Sequence, residues 1–160
     1  MYLSLFIILD LIVKNLDETR SLAGRLAHCC SSLHSAFVIY LIGELGAGKT
    51  ALAQSFIQYF GFERVKSPTY SLVESYQNEV INIHHFDCYR LNEPEELEYI
   101  GIRDYLSTGH LQLIEWPELG NGAIAEADIS ITLIGDGNQR KINIKSHTEE
   151  GKEVIKCATT

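Results

Sequence analysis

The chain has 160 residues, about one domain on length alone. Its 46% apolar content matches an ordinary soluble globular domain, enough for one core without staples. The 13 Lys and Arg against 21 Asp and Glu leave a net charge of −8, which argues against a protein whose main task is gripping nucleic-acid backbone. A local basic patch, or a partner that does the gripping, stays open.

The apolar opening Met1–Leu9 has no basic flank, is interrupted by Asp10 and falls short of a bilayer span. Residues 1–10 therefore read as an edge strand or an unstructured leader, followed by a short apolar run at Leu11–Lys14. Asn15 with Glu18 three residues on forms a capping-box start for a helix through Leu22, Leu26 and Leu33. Ala36–Ile42 is a continuous apolar run ending at glycine, the pattern of a strand buried on both faces. Lys49–Phe60 has helical spacing, with Leu52, Phe56 and Phe60 on one stripe and Gly61 as the stop. Tyr70–Tyr76 and Val80–Phe86 read as strands joined around Asn78 and Glu79. Glu93–Ile100 reads as a helix with Pro94 in its first turn. Leu111–Ile114 is a short buried strand running into Glu115. Ile129–Ile134 and Lys141–Ile144 alternate around Gly135-Asp136-Gly137-Asn138, a hairpin signal, and residues 146–160 are left as a tail. Strands interleaved with helices predict one α/β domain over 1–160, with helices on both faces of the sheet.

The four cysteines, Cys29, Cys30, Cys88 and Cys157, have no CxxC spacing and read as free thiols in a reducing cytosol. Cys29 and Cys30 suit buried positions near a helix end. His84, His85, Asp87 and Cys88 are close in sequence, but alternation on a strand puts His85 and Asp87 on one face and His84 on the other. No second ligand pair at zinc spacing accompanies them.

The chemistry begins at Gly43–Thr50, GELGAGKT, which matches GxxxxGK[ST] between a buried strand and a helix. Glycines let the backbone curl so that N–H groups face phosphate oxygens, and the helix N-terminus adds its dipole. Lys49 would reach the outer phosphates and Thr50 would place its hydroxyl on Mg²⁺. Such a loop needs a carboxylate opposite it, and two acids end apolar strands: Asp87 and Glu115. Ser67-Pro68-Thr69 follows the first helix after the loop, where Thr69 would contact metal or the terminal phosphate, although Ser-Pro-Thr alone is a turn.

These residues resemble the TsaE (formerly YjeE) family in order and spacing. The resemblance rests on GELGAGKT, Ser67-Pro68-Thr69-Tyr70, the His85–Leu91 run HFDCYRL, Glu95–Glu98 with Gly101, and Leu113–Glu118 (LIEWPE), and it spans roughly Leu11 to Ile144. It implies a P-loop NTPase-like fold, with a mostly parallel central sheet and antiparallel hairpins. It also implies the ATPase component of bacterial tRNA N6-threonylcarbamoyladenosine synthesis, working in the cytoplasm with TsaB and TsaD while tRNA is bound chiefly by a partner. On this resemblance Gly43, Glu44, Leu45, Gly46, Ala47, Gly48 and Lys49 would cradle the phosphates of ATP or ADP, and Thr50 and Ala51 would complete the nucleotide-binding loop. Thr50, Glu115 and Asp87 would bind Mg²⁺, and Asp87 would also be the essential acid at the γ-phosphate. Thr69 would be the switch threonine, Trp116 a neighbour of the nucleotide, and Thr19 part of a segment near the adenine. Three positions depart from the family pattern without removing a group of assigned role: Ala51 replaces a threonine, Cys88 an aliphatic residue, and Ala125 a proline.

Rival readings share the loop. A small-molecule kinase needs an acceptor pocket and usually an arginine-rich lid, whereas the six arginines here do not cluster. A GTPase needs an NKxD-like segment, which does not occur. A nucleotide-sensing module without hydrolysis has the same sequence signature as a slow ATPase. Arg64, Lys66, Arg90 and Arg103 read as scattered surface cations.

Overall fold

The computed structural model describes residues 6–108, 110–135 and 137–160. Its strands are β1 (Ile8–Val13), β2 (Phe37–Ile42), β3 (Val73–Gln77), β4 (Asn82–Asp87), β5 (Leu111–Glu115), β6 (Ile129–Ile134) and β7 (Arg140–Ser146). Its helices are α1 (Leu16–Cys30), α2 (Lys49–Tyr59), α3 (Glu96–Tyr99), α4 (Ile102–Thr108) and α5 (Glu149–Thr159), with a 3₁₀ turn at Pro117–Gly120.

The strands form one sheet in the order β1-β7-β6-β2-β5-β4-β3. β6, β2, β5 and β4 run parallel in the centre, and the antiparallel strands β1, β7 and β3 flank them. The split follows from the connections: parallel neighbours need long crossovers, whereas β3–β4 and β6–β7 are joined by short turns. Alternation along β2 sends Phe37, Ile39 and Leu41 to the core under α1, α2 and α5, and Val38 to a second core under α3 and α4. The expected α/β sheet with helices on both faces is present.

Several elements end or begin elsewhere than their patterns predict. β1 spans the junction between the expected leader and the next apolar run, as an edge strand paired antiparallel to β7. Asp10 is tolerated mid-strand because its carboxylate accepts from Asn143 Nδ2 at 3.0 Å on the exposed side. Met1–Leu5 and Asp136 of the expected turn lie outside the described residues. Asn15 caps α1 as its spacing predicts, accepting from Glu18 N at 2.9 Å, while Glu18 accepts from Lys14 N at 2.7 Å. α1 stops at Cys30, short of Leu33, where the hydroxyl of Ser31 competes for the His28 carbonyl at 2.6 Å. β3 starts at Val73, not Tyr70, because Leu72 lies in the left-handed region at φ 66°. The predicted Glu93–Ile100 helix shrinks to α3, and Gly101 at φ 73° turns the chain into α4, an element with no predicted counterpart.

Two corrections concern the C-terminus. Residues 146–160 are not a tail: Ser146 closes β7, and Thr148 caps α5 by accepting from Gly151 N at 3.1 Å. Gly151 has no Cβ to collide with the Asp128 carbonyl, so the helix packs directly against the sheet, burying Val154, Ile155 and Ala158. That packing also overturns the expectation of four free thiols. It sets the ends of α5 and α1 side by side, with Cα atoms 5.9 Å apart, and Cys157 is disulfide-bonded to Cys29 across 128 residues. Cys30 and Cys88 remain free and buried.

Candidate functional site

The sheet topology decides where the chemistry collects. β2 ends in the middle of the parallel strands, and the chain turns from it through Gly43–Gly48 into α2. Gly43 approaches β6 so closely that a Cβ would lie 2.5 Å from the Leu133 carbonyl oxygen. Gly48 takes φ 101°, a conformation that side chains rarely adopt. These constraints explain the glycines at both ends of the motif. The curl is held from behind: Arg140 of β7 donates from Nε to the Ala47 carbonyl at 2.7 Å and from Nη2 to the Gly46 carbonyl at 3.2 Å.

Across the loop, β4 and β5 are parallel neighbours with Asp87 in register with Glu115. Both acids are buried, at 4% and 1% exposure, so their charge acts with little solvent screening. Thr50 Oγ1 donates to Glu115 Oε2 at 3.0 Å, and His85 Nε2 lies 2.8 Å from Glu115 Oε1. Asp87 Oδ2 accepts from Thr69 Oγ1 at 3.0 Å, Oδ1 accepts from the Tyr89 amide at 3.0 Å, and Ser67 Oγ lies 2.8 Å from Thr69 Oγ1.

Lys49 lies at the focus. Its ammonium donates to the Gly43 and Glu44 carbonyls at 2.6 and 2.9 Å and sits 4.4 Å from the ring centre of Trp116. Burial lowers its pKa from the ordinary lysine value, opposed by the carboxylates of Glu115 and Asp87. Trp116 reaches this position through a left-handed backbone, φ 54°, immediately after Glu115, and its ring packs against Tyr89 at 5.0 Å.

A cleft of about 370 Å³ has Lys49, Thr50, Thr69, Asp87, Glu115 and Trp116 on its walls, so the structure brings the main expected site residues together. Leu45, Gly46, Gly48 and Ala51 line it as well. Thr19 is not in this cleft. It lines an adjoining one of about 180 Å³ with Asn15, Gly48, Ala51 and Arg140. Gly43, Glu44 and Ala47 line a third hollow behind the loop. Sequence reasoning missed the roles of Arg140 and His85; for the latter the signals were the alternation that puts it on the face of Asp87 and its place at the head of the HFDCYRL run.

The donor set suits a hard cation. Thr50 and Glu115 offer oxygen atoms only, and among the described residues no group of three or more His, Cys, Asp and Glu could by itself hold a metal ion. Mg²⁺ is commonly held this way, by one or two protein oxygens together with substrate phosphates and water.

A parallel strand, a glycine-rich curl with its lysine and a following helix place this chain in the P-loop-like class, an architecture that suggests nucleotide binding. The chain belongs to the TsaE family: the family model described as "Threonylcarbamoyl adenosine biosynthesis protein TsaE" matches residues 13–142. It is similar to the tRNA threonylcarbamoyladenosine biosynthesis protein TsaE of Haemophilus influenzae, 46% identical over 134 residues that cover 82% of this chain and 85% of the relative. The protein of the same name from Bacillus subtilis is 29% identical over 133 residues, 79% of this chain and 78% of that one. The crystal structure of Bacillus subtilis YdiB shares the fold, with a TM-score of 0.78 over 96% of this chain and 95% of that chain at 22% identity. Among the described residues no helix is long and apolar enough to cross a membrane.

Proposed function

We propose that this chain is a Mg²⁺-dependent ATPase of the tRNA N6-threonylcarbamoyladenosine machinery, acting in the cytoplasm with TsaB and TsaD, with tRNA held chiefly by those partners. The observation that carries the reading is the convergence of Lys49, Thr50, Asp87 and Glu115 on one cleft at the mouth of the glycine loop. In this reading the loop amides and Lys49 hold the β- and γ-phosphates, and the adjoining cleft at Thr19 and Arg140 accepts the nucleoside end. Thr50 and Glu115 hold Mg²⁺, which neutralises charge developing on the transferred phosphoryl group. Asp87, oriented through its bonds to Thr69 and the Tyr89 amide, faces the γ-phosphate and orients the attacking water. The excess of acidic residues agrees with partners supplying the grip on tRNA.

Phosphate release from ATP by the purified chain, alone and with TsaB and TsaD, tests the reading. Lys49→Ala should abolish nucleotide binding, whereas Asp87→Ala should retain binding and lose hydrolysis. Unchanged turnover in both variants would refute the site assignment. Fluorescence of Trp116, the single tryptophan, should respond to ATP or ADP with Mg²⁺ and less to GTP.

A further inference from the structure

We infer that His85 is a positioning residue for magnesium: its imidazole fixes the direction in which the Glu115 carboxylate faces and thereby couples the cation to nucleotide binding. The inference rests on the proposed role of Thr50 and Glu115 as the Mg²⁺ side of the site.

Three observations carry it. First, His85 is fully buried on β4, and its Nε2 lies 2.8 Å from Glu115 Oε1. An ionised carboxylate only accepts, so the proton of this bond belongs to Nε2. Second, Thr50 Oγ1 donates to the other oxygen of the same carboxylate. Glu115 is thus clamped at both oxygens, by an imidazole from β4 and a hydroxyl from α2. A threonine that gives its oxygen lone pair to a cation can still direct its proton to Glu115, but that bond must then follow the metal. The His85 bond is anchored in the sheet and does not depend on the metal.

Third, the other ring nitrogen of His85, Nδ1, is buried without a hydrogen-bond partner. A polar atom in that state carries a desolvation cost that an apolar side chain would remove. Packing alone therefore gives no reason for histidine here; the Nε2–H bond to Glu115 does. Groups that hold a metal-binding carboxylate or imidazole in orientation typically affect metal affinity strongly.

The test compares His85→Leu, which removes the donor, with His85→Gln, whose amide nitrogen reaches about as far as Nε2, and His85→Asn, whose amide nitrogen falls short. ATP binding to each full-length variant is measured by calorimetry in EDTA and across a MgCl₂ titration. In H85L, affinity in EDTA should stay near that of the unmodified protein, while the Mg²⁺ concentration for half-maximal tightening should rise by roughly 10–100-fold. H85Q should restore most of the Mg²⁺ response and H85N should not. The Gln–Asn contrast decides the matter even if H85L does not fold. Equal Mg²⁺ responses in H85Q and H85N, or an undiminished response in folded H85L, would overturn the role of His85. Failure of the unmodified protein to bind ATP, or binding indifferent to Mg²⁺, would instead overturn the proposed function and this inference with it.

Discussion

Opening the Cys29–Cys157 bridge should lower stability without dismantling the fold. The bridge closes a loop of 128 residues, and the chain-entropy relation assigns such a loop about 17 cal/mol/K, or about 5 kcal/mol at 25 °C. Measured effects are commonly smaller, from about 2 kcal/mol upward. A chain of 160 residues unfolds with an entropy of about 340 cal/mol/K near its midpoint, so these energies correspond to a fall in Tm of about 6–15 °C. Helix α5 should stay docked, because Val154, Ile155 and Ala158 are buried and Arg25 Nη1 donates to the Ala158 carbonyl at 3.3 Å. The assay is a thermal melt followed by circular dichroism, with and without reductant, beside Cys157→Ser, which should melt at the reduced temperature in both conditions. Thiol titration of the unreduced, denatured protein should find two groups, Cys30 and Cys88. Four titratable thiols would show that the bridge does not form. Two thiols with identical melts in both conditions would refute the loop-entropy reasoning.

Burial raises the Cys30 and Cys88 pKa values from 9.0 to about 12, so the folded protein keeps both protons while the unfolded chain begins to lose them near pH 9. Their contribution to stability is therefore complete below pH 9 and should fall away as pH rises towards 12, a slope that urea melts should reveal and Cys88→Ala should reduce. Both thiols should resist an aqueous thiol reagent until the protein unfolds. Arg140→Met removes charged donors from two loop carbonyls and should weaken ATP affinity by about 10–100-fold, taking 1.5–3 kcal/mol for hydrogen bonds of this kind. Affinity unchanged in a calorimetric titration would show that the loop holds its shape without Arg140. Phe56→Ala empties a fully buried site under α2 and should cost about 3–5 kcal/mol in urea unfolding.

What could be read from the residues was whatever depends on local backbone chemistry. The glycine loop encodes its own curl, and Asp87 and Glu115 were visible because each ends an apolar run. The capping pair Asn15 and Glu18 fixed the start of α1 for the same local reason. What escaped depends on lateral placement. The contact of His85 with Glu115 exists only because β4 and β5 are neighbours in one particular register, which no single strand specifies. Arg140 reaches the loop from a strand 91 positions beyond Lys49 in sequence (140 − 49), and Cys157 meets Cys29 only once α5 has docked. α5 itself hid behind its acidic and lysine residues, since four of its 11 positions carry the buried contacts. The left-handed turn at Trp116 had no glycine to announce it.

The guanidinium behind the glycine loop has a thermodynamic corollary. With Gly46 and Ala47 already tethered to a strand of the sheet, the amides at the front of the curl gain their orientation during folding, not when an anion arrives. Little chain entropy then remains to be lost at the moment of capture, and a few amide dipoles and one ammonium can favour a polyanion over bulk water without a larger pocket.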